Sequence, residues 1–510
     1  MSGRPPTVSP RVRCAAPSNT SARTAAAALL IALTLAVGRS AGAEDVDVAA
    51  VATRHGFAPD VPGVVLFDAG TGEILAQHGA DRPFIPASTT KVTTALAALE
   101  ILGPEHRFAT TLLATGEIAN GTLHGDLYLR GGGDPTLSSD GLRDLVAGLR
   151  RAGIQRVDGA FFFDESLYPR AAEIDPLQPE SAPYNPAVSA LSVNYNRLEL
   201  RWQRDAAGKP AARLLSPADG GALPVHGIAT GALDDDLDPR IELVFASDPS
   251  PRWLVSPRLA ATGSVFVPVR GDPGPVAAEL LTTLAARDGI TLPPARRGTA
   301  PDGAREVARH ESPPLAEVVT GLLRYSNNLT AELTGLAASH RLAGGTALAL
   351  EPSARRLAAW WQDRLPETSF AGFVAANHSG LSSVTRHTPR QMAAVLRYGA
   401  AGAAAGVRLQ DVLPTREVGE NGRPATDGAP GTTVRAKSGT LLYADGLVGF
   451  LTTRRGRELG FVILLTDADA RARLDAGRDV RIAATPPEAN DWTGRAKALE
   501  RDLVARWSAD

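Results

Sequence analysis

The chain opens with a leader of the export type, and its only cysteine lies inside that leader. The first 43 residues hold five arginines, no acidic residue, an apolar run at 25–37 and the cleavage-like triplet Ala41-Gly42-Ala43. Removing this segment also removes Cys14. A mature chain without thiols can form no disulfide and no thiolate metal site. Cysteine catalysis is excluded for the same reason.

We predict a signal peptide at 1–43, because the apolar run is too short to span a bilayer comfortably. An uncleaved anchor is the alternative. No other long apolar stretch follows, so we expect no integral membrane segment in the mature chain. That chain carries 48 basic and 55 acidic residues, a net charge of −7, which offers no basic surface for nucleic acid. The nine histidines show no ligand spacing such as HExxH, so we predict neither a metal nor another cofactor.

The 510 residues are enough for about three domains. Helical patterns at 138–151 and 276–287 both end at a glycine, which indicates two parts of one α+β domain. The stretch between them is rich in Pro, Gly and Asp and has short alternating runs typical of strands. We predict an outer domain formed by 44–106 and 312–510. An α+β domain formed by 107–199 and 267–311 is inserted in it, and a β-rich domain at 200–266 is nested in the second.

Lysine is rare in this chain, which has 49 arginines and only four lysines, at positions 91, 209, 437 and 497. A desolvated lysine can lose its proton, whereas an arginine effectively cannot. Lys91 and Lys437 lie in two short motifs that could carry catalytic chemistry.

The first motif is Ser88-Thr89-Thr90-Lys91, at the start of a predicted helix. Residues three apart share a helix face, so Lys91 can accept the proton of the Ser88 hydroxyl. The Ser88 N–H can hold a developing oxyanion. Lys91 must then be partly neutral, which requires burial or a second cation nearby. The same four-residue sequence is also expected for an N-cap serine followed by a solvated lysine, which is the alternative interpretation.

Two further motifs follow in order. Ser326-Asn327-Asn328 interrupts two amphipathic helical patterns, and 437–440 (Lys-Ser-Gly-Thr) precedes a strand-like run in which Gly439 permits close approach of the backbone to a ligand. Taken singly, they could be a helix cap and a turn. The order SxxK, SxN, KSG is the signature of penicillin-binding proteins and class A β-lactamases.

With these motifs, the chain resembles the class C low-molecular-mass penicillin-binding proteins, the D-alanyl-D-alanine carboxypeptidase/endopeptidases. The resemblance also covers GGGDPTL, FFFDESLY, SALSVNYN, HESPPLAEVV, NHSGLS and VRAKSGTL. It implies an α/β (α+β) fold: a serine β-lactamase/DD-peptidase-like domain, with an antiparallel sheet flanked by helices, and two nested inserted domains. Ser88 and Ser326 are 238 residues apart, an interval that agrees with these insertions, and β-lactamases have a far shorter interval there.

The resemblance assigns the catalytic roles. Ser88 resembles the acylated nucleophile and Lys91 its base. Ser326 resembles the relay that delivers a proton to the departing amine. Asn328 is similar to the residue that positions Lys91 and the substrate amide. Lys437 resembles a binder of the substrate's terminal carboxylate that also helps to keep Lys91 deprotonated.

The resemblance also implies substrate-binding residues. Ser438 would bind the terminal carboxylate with Lys437, beside Gly439, and the Thr440 N–H would be the second oxyanion donor. Asp164 resembles an acid that pairs a diaminopimelate ammonium, although a strand-end surface acid is an equal alternative. Asn327 stands where the family usually has Asp, and we expect its side chain to face away from the chemistry. Asn377 and His378 stand where the family has an acidic, glycine-containing version of the motif, and we expect this departure to affect only the fine shape of the cleft edge.

We therefore expect an exported serine enzyme that trims terminal D-Ala from peptidoglycan stem peptides and cleaves D-Ala-diaminopimelate cross-links through an acyl-enzyme. β-Lactams would be covalent inhibitors. A β-lactamase or esterase on the same scaffold is one alternative. A non-catalytic cell-wall-binding protein is the other, although the retained serine, both lysines and Asn328 argue against it.

Overall fold

The computed structural model describes residues 45–234, 237–418 and 432–509. The predicted signal peptide at 1–43 lies outside the described residues. Among the helices that are described, none is long and apolar enough to cross a membrane.

The helices in chain order are α1 (Val48–Arg54), α2 (Thr90–Leu102), α3 (Ser139–Arg151), α4 (Gly274–Arg287), α5 (Leu315–Tyr325), α6 (Asn328–Leu342), α7 (Leu350–Arg364), α8 (Pro389–Ala400), α9 (Leu409–Val412), α10 (Ala468–Ala476) and α11 (Pro487–Ser508). The strands are β1 (Gly63–Asp68), β2 (Ile74–His78), β3 (Ala109–Ala114), β4 (Glu117–Ala119), β5 (Thr122–His124), β6 (Leu127–Arg130), β7 (Arg156–Val157), β8 (Phe161–Asp164), β9 (Arg197–Arg204), β10 (Pro210–Ser216), β11 (Leu223–Val225), β12 (Ala229–Ala232), β13 (Leu243–Ala246), β14 (Arg252–Val255), β15 (Thr262–Pro268), β16 (Ala295–Arg297), β17 (Arg305–Glu311), β18 (Thr415–Val418), β19 (Thr432–Leu441), β20 (Ala444–Thr452) and β21 (Glu458–Thr466).

The largest sheet joins both ends of the described chain, in the order β18-β19-β20-β21-β1-β2, and every neighbouring pair is antiparallel. Alternate side chains of β1 enter different cores, as the two-residue period of a strand requires. Val64 and Leu66 pack with α1 and α11, and Val65 and Phe67 pack with α2, α5 and α8. The sheet is thus covered by helices on both faces, as expected from the family resemblance.

A second group of strands forms a five-stranded sheet of order β16-β8-β6-β3-β17 and a small sheet of order β4-β5-β7. Helices α3 and α4 cover the larger sheet with their apolar faces. Gly153 and Gly289, just beyond these helices, both have a φ of +76°, a left-handed conformation that glycine adopts without strain. The predicted glycine stops are therefore real helix ends.

The remaining strands form a four-stranded sheet, β11-β10-β9-β15, and a three-stranded sheet, β12-β14-β13. Their core is continuous with that of the second group, because Leu200, Trp253 and Val267 belong to the same buried cluster as Phe161 and Leu281. The sheets use segments of the chain in the nested order expected from the sequence. The domain boundaries themselves stay a prediction.

Candidate active site

Ser88 lies in a short 3-10 turn, Ala87–Thr89, that leads directly into α2. The turn is tight: Ala87 has a φ of +48°, and the Thr89 hydroxyl donates to the Pro86 carbonyl at 2.7 Å. One turn on, Lys91 Nζ donates to Ser88 Oγ at 2.8 Å. The predicted side-chain pair therefore forms where the 3-10 turn meets α2.

Lys91 is completely buried, because α2 is surrounded by apolar helices and the large sheet. Its ammonium has three acceptors: Ser88 Oγ, Asn328 Oδ1 at 2.6 Å and the Ser379 carbonyl at 2.9 Å. Burial lowers the pKa of Lys91 well below its ordinary value, and the positive charge of Lys437 lowers it further. Both conditions for a partly neutral lysine are met.

The SxN motif forms the reversal between α5 and α6. Ser326 follows α5 with left-handed backbone angles (φ 58°, ψ 32°). Asn327 caps α6, and its Oδ1 accepts the Thr330 N–H at 3.0 Å. This side chain therefore serves the helix cap and is not one of the hydrogen-bond acceptors of Lys91. Asn328 Nδ2 donates to the Tyr184 carbonyl at 2.8 Å, which fixes the amide with its oxygen toward Lys91.

Strand β19 carries the KSG motif past the Ser88 turn. A Cβ on Gly439 would lie 2.7 Å from the Pro86 carbonyl oxygen and 2.8 Å from the Ser88 nitrogen. Only glycine allows this approach. Strand β18 pairs with β19 only from Thr432 to Arg435, so no described strand pairs with the outer edge of 437–441. An open strand edge beside the nucleophile can accept an extended peptide as an additional strand.

Lys437 belongs to the same strand and its side chain is buried. Its Nζ donates to the Ser438 carbonyl at 2.5 Å. Burial, followed by the charge of Arg416, lowers the pKa of Lys437 to about 8. Lys437 is therefore a cation at neutral pH that loses its charge in mildly alkaline solution.

Four of the nine predicted site residues line one cavity of about 300 Å³. Ser88, Ser326, Asn328 and Thr440 all contribute to its wall, and Lys91 lies directly behind Ser88. The Thr440 hydroxyl donates to Asp445 Oδ1 at 2.6 Å, which anchors this end of β19 to β20. Residues brought from three separate parts of the chain thus surround one hydroxyl.

Ser438 and Asp164 do not line this cavity. Ser438 is exposed and contributes to a neighbouring cleft with Arg416 and Lys497. Asp164 is buried at the end of β8, where its two oxygens accept the N–H groups of Ser166 and Ala300, each at 2.9 Å. The alternative of a surface acid is therefore wrong. The substrate-binding roles of Asp164 and Ser438 stay predictions.

Comparison with known proteins identifies the family of the chain. The model of the D-Ala-D-Ala carboxypeptidase 3 (S13) family matches residues 45–484. The chain belongs to the S13 family. The family expected from the motifs is thereby confirmed.

Curated relatives align over much of the chain. A D-alanyl-D-alanine carboxypeptidase of Actinomadura sp. (strain R39) is 30% identical over 310 residues, which is 57% of this chain and 56% of that protein. The chain thus matches little more than half of that relative's length. The D-alanyl-D-alanine carboxypeptidase DacB of Haemophilus influenzae is 26% identical over 78% of this chain and 84% of its own length.

A solved structure shows the same fold. The crystal structure of penicillin binding protein 4 (dacB) from Haemophilus influenzae superposes with a TM-score of 0.72 at 21% identity, covering 91% of this chain and all of that one. The expected DD-peptidase fold with inserted domains is confirmed.

Several residues of this S13 site were not predicted from the sequence. Tyr184, Arg471 and Arg478 share the cavity wall with Ser88. Their position depends on long-range packing, and no local pattern marks them. Glu332 carried a signal that was available, since it is a lone acid inside the apolar run that continues from Asn328. It is completely buried, and its charge raises the pKa of Lys91, against the effects of burial and Lys437.

Proposed function

We propose that this chain is an exported serine-type D-Ala-D-Ala carboxypeptidase that cleaves peptidoglycan stem peptides through an acyl-enzyme. The observation that carries the proposal is the 2.8 Å contact between Lys91 Nζ and Ser88 Oγ, made by a fully buried lysine in a member of the S13 family.

Acylation begins when neutral Lys91 takes the proton of the Ser88 hydroxyl and Ser88 Oγ bonds to the carbonyl carbon of the penultimate D-Ala. The carbonyl oxygen becomes an anion, which the N–H groups of Ser88 and Thr440 stabilise. Ser326 then passes the proton from Lys91 to the departing amine as the C–N bond breaks. Asn328 holds the Lys91 ammonium during this transfer at 2.6 Å.

Deacylation repeats these steps with water. Lys91 takes a proton from the water molecule, the hydroxide bonds to the ester carbon, and the proton returns to Ser88 Oγ as the ester bond breaks. The enzyme is restored, and the shortened peptide leaves as a carboxylic acid.

Cross-link cleavage uses the same chemistry. Terminal D-Ala and a cross-linked diaminopimelate both leave as an amine with a carboxylate on the adjacent carbon. We propose that Lys437 and Ser438 attract this carboxylate beside the open edge of β19, and that the chain is therefore an endopeptidase as well. β-Lactams present a reactive amide and a carboxylate in the same relation, so they acylate Ser88.

The decisive experiment treats the mature protein with labelled penicillin and maps the adduct by mass spectrometry, alongside release of D-Ala from a stem pentapeptide. We expect one adduct at Ser88, no adduct in S88A, and normal labelling of S247A, which removes an exposed serine far along the chain. Labelling at another residue, or none, would overturn the mechanism.

The same assays separate the alternatives. Rapid turnover of penicillin with inert D-Ala-D-Ala peptides would indicate a β-lactamase or esterase. A wall-binding protein without catalysis would show neither activity, and its cellular role would survive the S88A substitution.

A further inference from the structure

Glu332 is a buried carboxylate on α6, one helical turn beyond Asn328. It has no exposed surface and no ion-pair partner within 4 Å among the described residues. Its Oε2 accepts the His378 N–H and its Oε1 accepts the Ser379 N–H, both at 2.9 Å. A carboxylate only accepts hydrogen bonds, so both oxygens can serve such donors at once.

These two bonds hold the loop 377–380 against the nucleophile. The Asn377 side chain accepts the Gly380 N–H at 2.9 Å, and the His378 carbonyl accepts the Thr94 hydroxyl at 2.7 Å. Gly380, at a φ of +73°, packs so closely that a Cβ would lie 2.0 Å from the Ala87 carbonyl oxygen. The loop therefore has little freedom, and its Ser379 carbonyl is one of the three acceptors of Lys91.

Two charged groups act on Lys91 from the elements packed around it. Lys437 on β19 disfavours a protonated Lys91, and Glu332 on α6 favours it. The adjacent His378 ring is neutral at ordinary pH, because burial lowers its pKa to about 3. Glu332 therefore supplies a negative charge that opposes the effect of Lys437 on Lys91. Burial raises the pKa of Glu332 itself, whereas its hydrogen bonds with Ser379 and His378 act in the opposite direction. A base must both lose its proton and regain it during the reaction, so both influences matter.

We propose that Glu332 is a positioning residue of the Ser88–Lys91 centre: it fixes the Ser379 carbonyl against the Lys91 ammonium and balances the charge that forms when Lys91 accepts the Ser88 proton. This inference rests on the proposed function of Ser88 and Lys91. It goes beyond the three motifs, since Glu332 lies outside the lining of the Ser88 cavity and is hydrogen-bonded to His378 and Ser379.

The test measures the acylation rate of Ser88 by fluorescent penicillin from acidic to neutral pH, the range in which Lys437 keeps its charge. The rate should rise with pH as Lys91 loses its proton. In E332Q the negative charge is gone, so Lys91 should lose its proton more easily, and this rise should move to lower pH by about one pH unit. The plateau should fall by roughly tenfold or more, because the glutamine amide faces one of the two N–H donors.

Two further variants separate charge from structure. E332D keeps the charge but is too short to reach both donors, so it should lower the plateau and leave the pH of the rise unchanged. S353A removes the hydroxyl that lies 2.7 Å from His378 Nε2, which loosens the same loop without changing any charge. It should also leave the pH of the rise unchanged.

A rise that stays at the wild-type pH in E332Q would overturn the inference and leave Glu332 a structural residue. If E332Q does not fold, E332D provides the test. E332D keeps the negative charge, so a change in the pH at which its acylation rate rises would contradict the electrostatic part of the proposal. Failure of the wild-type protein to label at Ser88 would instead overturn the proposed function.

Discussion

Lys91 Nζ lies 2.8 Å from Ser88 Oγ, in a side chain that solvent does not reach. The contact is local, but its chemical meaning comes from the surroundings, which favour a neutral amine. A neutral amine next to a hydroxyl is a base, whereas an exposed ammonium would be only a hydrogen-bond donor.

Replacing Lys91 with arginine tests the base directly. Arginine keeps a positive charge and can donate to Ser88 Oγ, but it does not lose its proton in proteins. We expect the penicillin acylation rate of K91R to fall by about 10²–10⁴-fold, the usual scale for loss of a general base. The rate is measured by stopped-flow or gel labelling, with the melting temperature as the control for folding. Normal acylation by K91R would make Lys91 a structural residue only.

Asn328 offers a test with the opposite sign from that of Glu332. In N328D a carboxylate replaces the amide oxygen that lies 2.6 Å from Lys91 Nζ, which favours the protonated lysine. The rise of the acylation rate should therefore move to higher pH. The variant also loses the donor to the Tyr184 carbonyl, so its plateau should be lower as well. A rise at unchanged or lower pH would contradict the role of Asn328 beside the base.

Gly439 tests how closely β19 must approach the nucleophile. In G439A the new Cβ would lie 2.7–2.8 Å from backbone atoms of Pro86, Ser88 and Thr89, so the strand must move away. We expect a loss of about 1–3 kcal/mol in unfolding free energy and a marked loss of acylation. The matched control is G494A on α11, where a Cβ meets nothing within 4 Å. It should be neutral or stabilise the protein by up to about 1 kcal/mol. Equal behaviour of the two variants would rule out the steric argument.

His387 makes a prediction about stability in acid. Its ring is buried, has no hydrogen-bond partner among the described residues and stacks on Phe373 with ring centres 4.1 Å apart. Burial lowers its pKa to about 3. The unfolded chain binds a proton near pH 6.5 and the folded one does not, so stability is lost as the pH falls from about 6.5 toward 3.

The slope contributed by His387 should approach 1.4 kcal/mol per pH unit in the middle of this range. In H387F the ring remains but the titration is gone, so the loss of unfolding free energy with falling pH should be smaller by that amount. Denaturant unfolding at several pH values measures the slope. Identical slopes in the two proteins would show that His387 is protonated in the folded state.

Much of the fold and of the catalytic centre could be predicted from local patterns. Ser88 and Lys91 meet because residues three apart share a helix face, and that holds wherever the helix lies. Gly439 was predicted to permit close approach of the backbone to a ligand, and that stays a prediction. The approach that the structure shows is between β19 and the backbone of the Ser88 turn. The glycine stops at Gly153 and Gly289 follow in the same way from the conformation that glycine permits.

Other features depended on packing between distant segments. Ser438 belongs to the KSG motif and Asp164 to the FFFDESLY segment, yet the first lies in a neighbouring cleft and the second accepts hydrogen bonds from backbone N–H groups. Nothing in the sequence placed Arg478 in the cavity wall. Such positions depend on how whole helices and sheets pack against one another, and a short stretch of sequence carries no information about that packing.

The sequence by itself determined the pairing of a hydroxyl with an amine one helical turn away, the order of the three motifs and the family to which they belong. Only the tertiary structure decided that the amine is buried, that Asn328 and Ser379 hold it from 237 and 288 residues away, and that Glu332 stands behind them. The reason is physical: helix geometry sets contacts within a turn, whereas the solvation and charge around a group depend on every segment that packs against it.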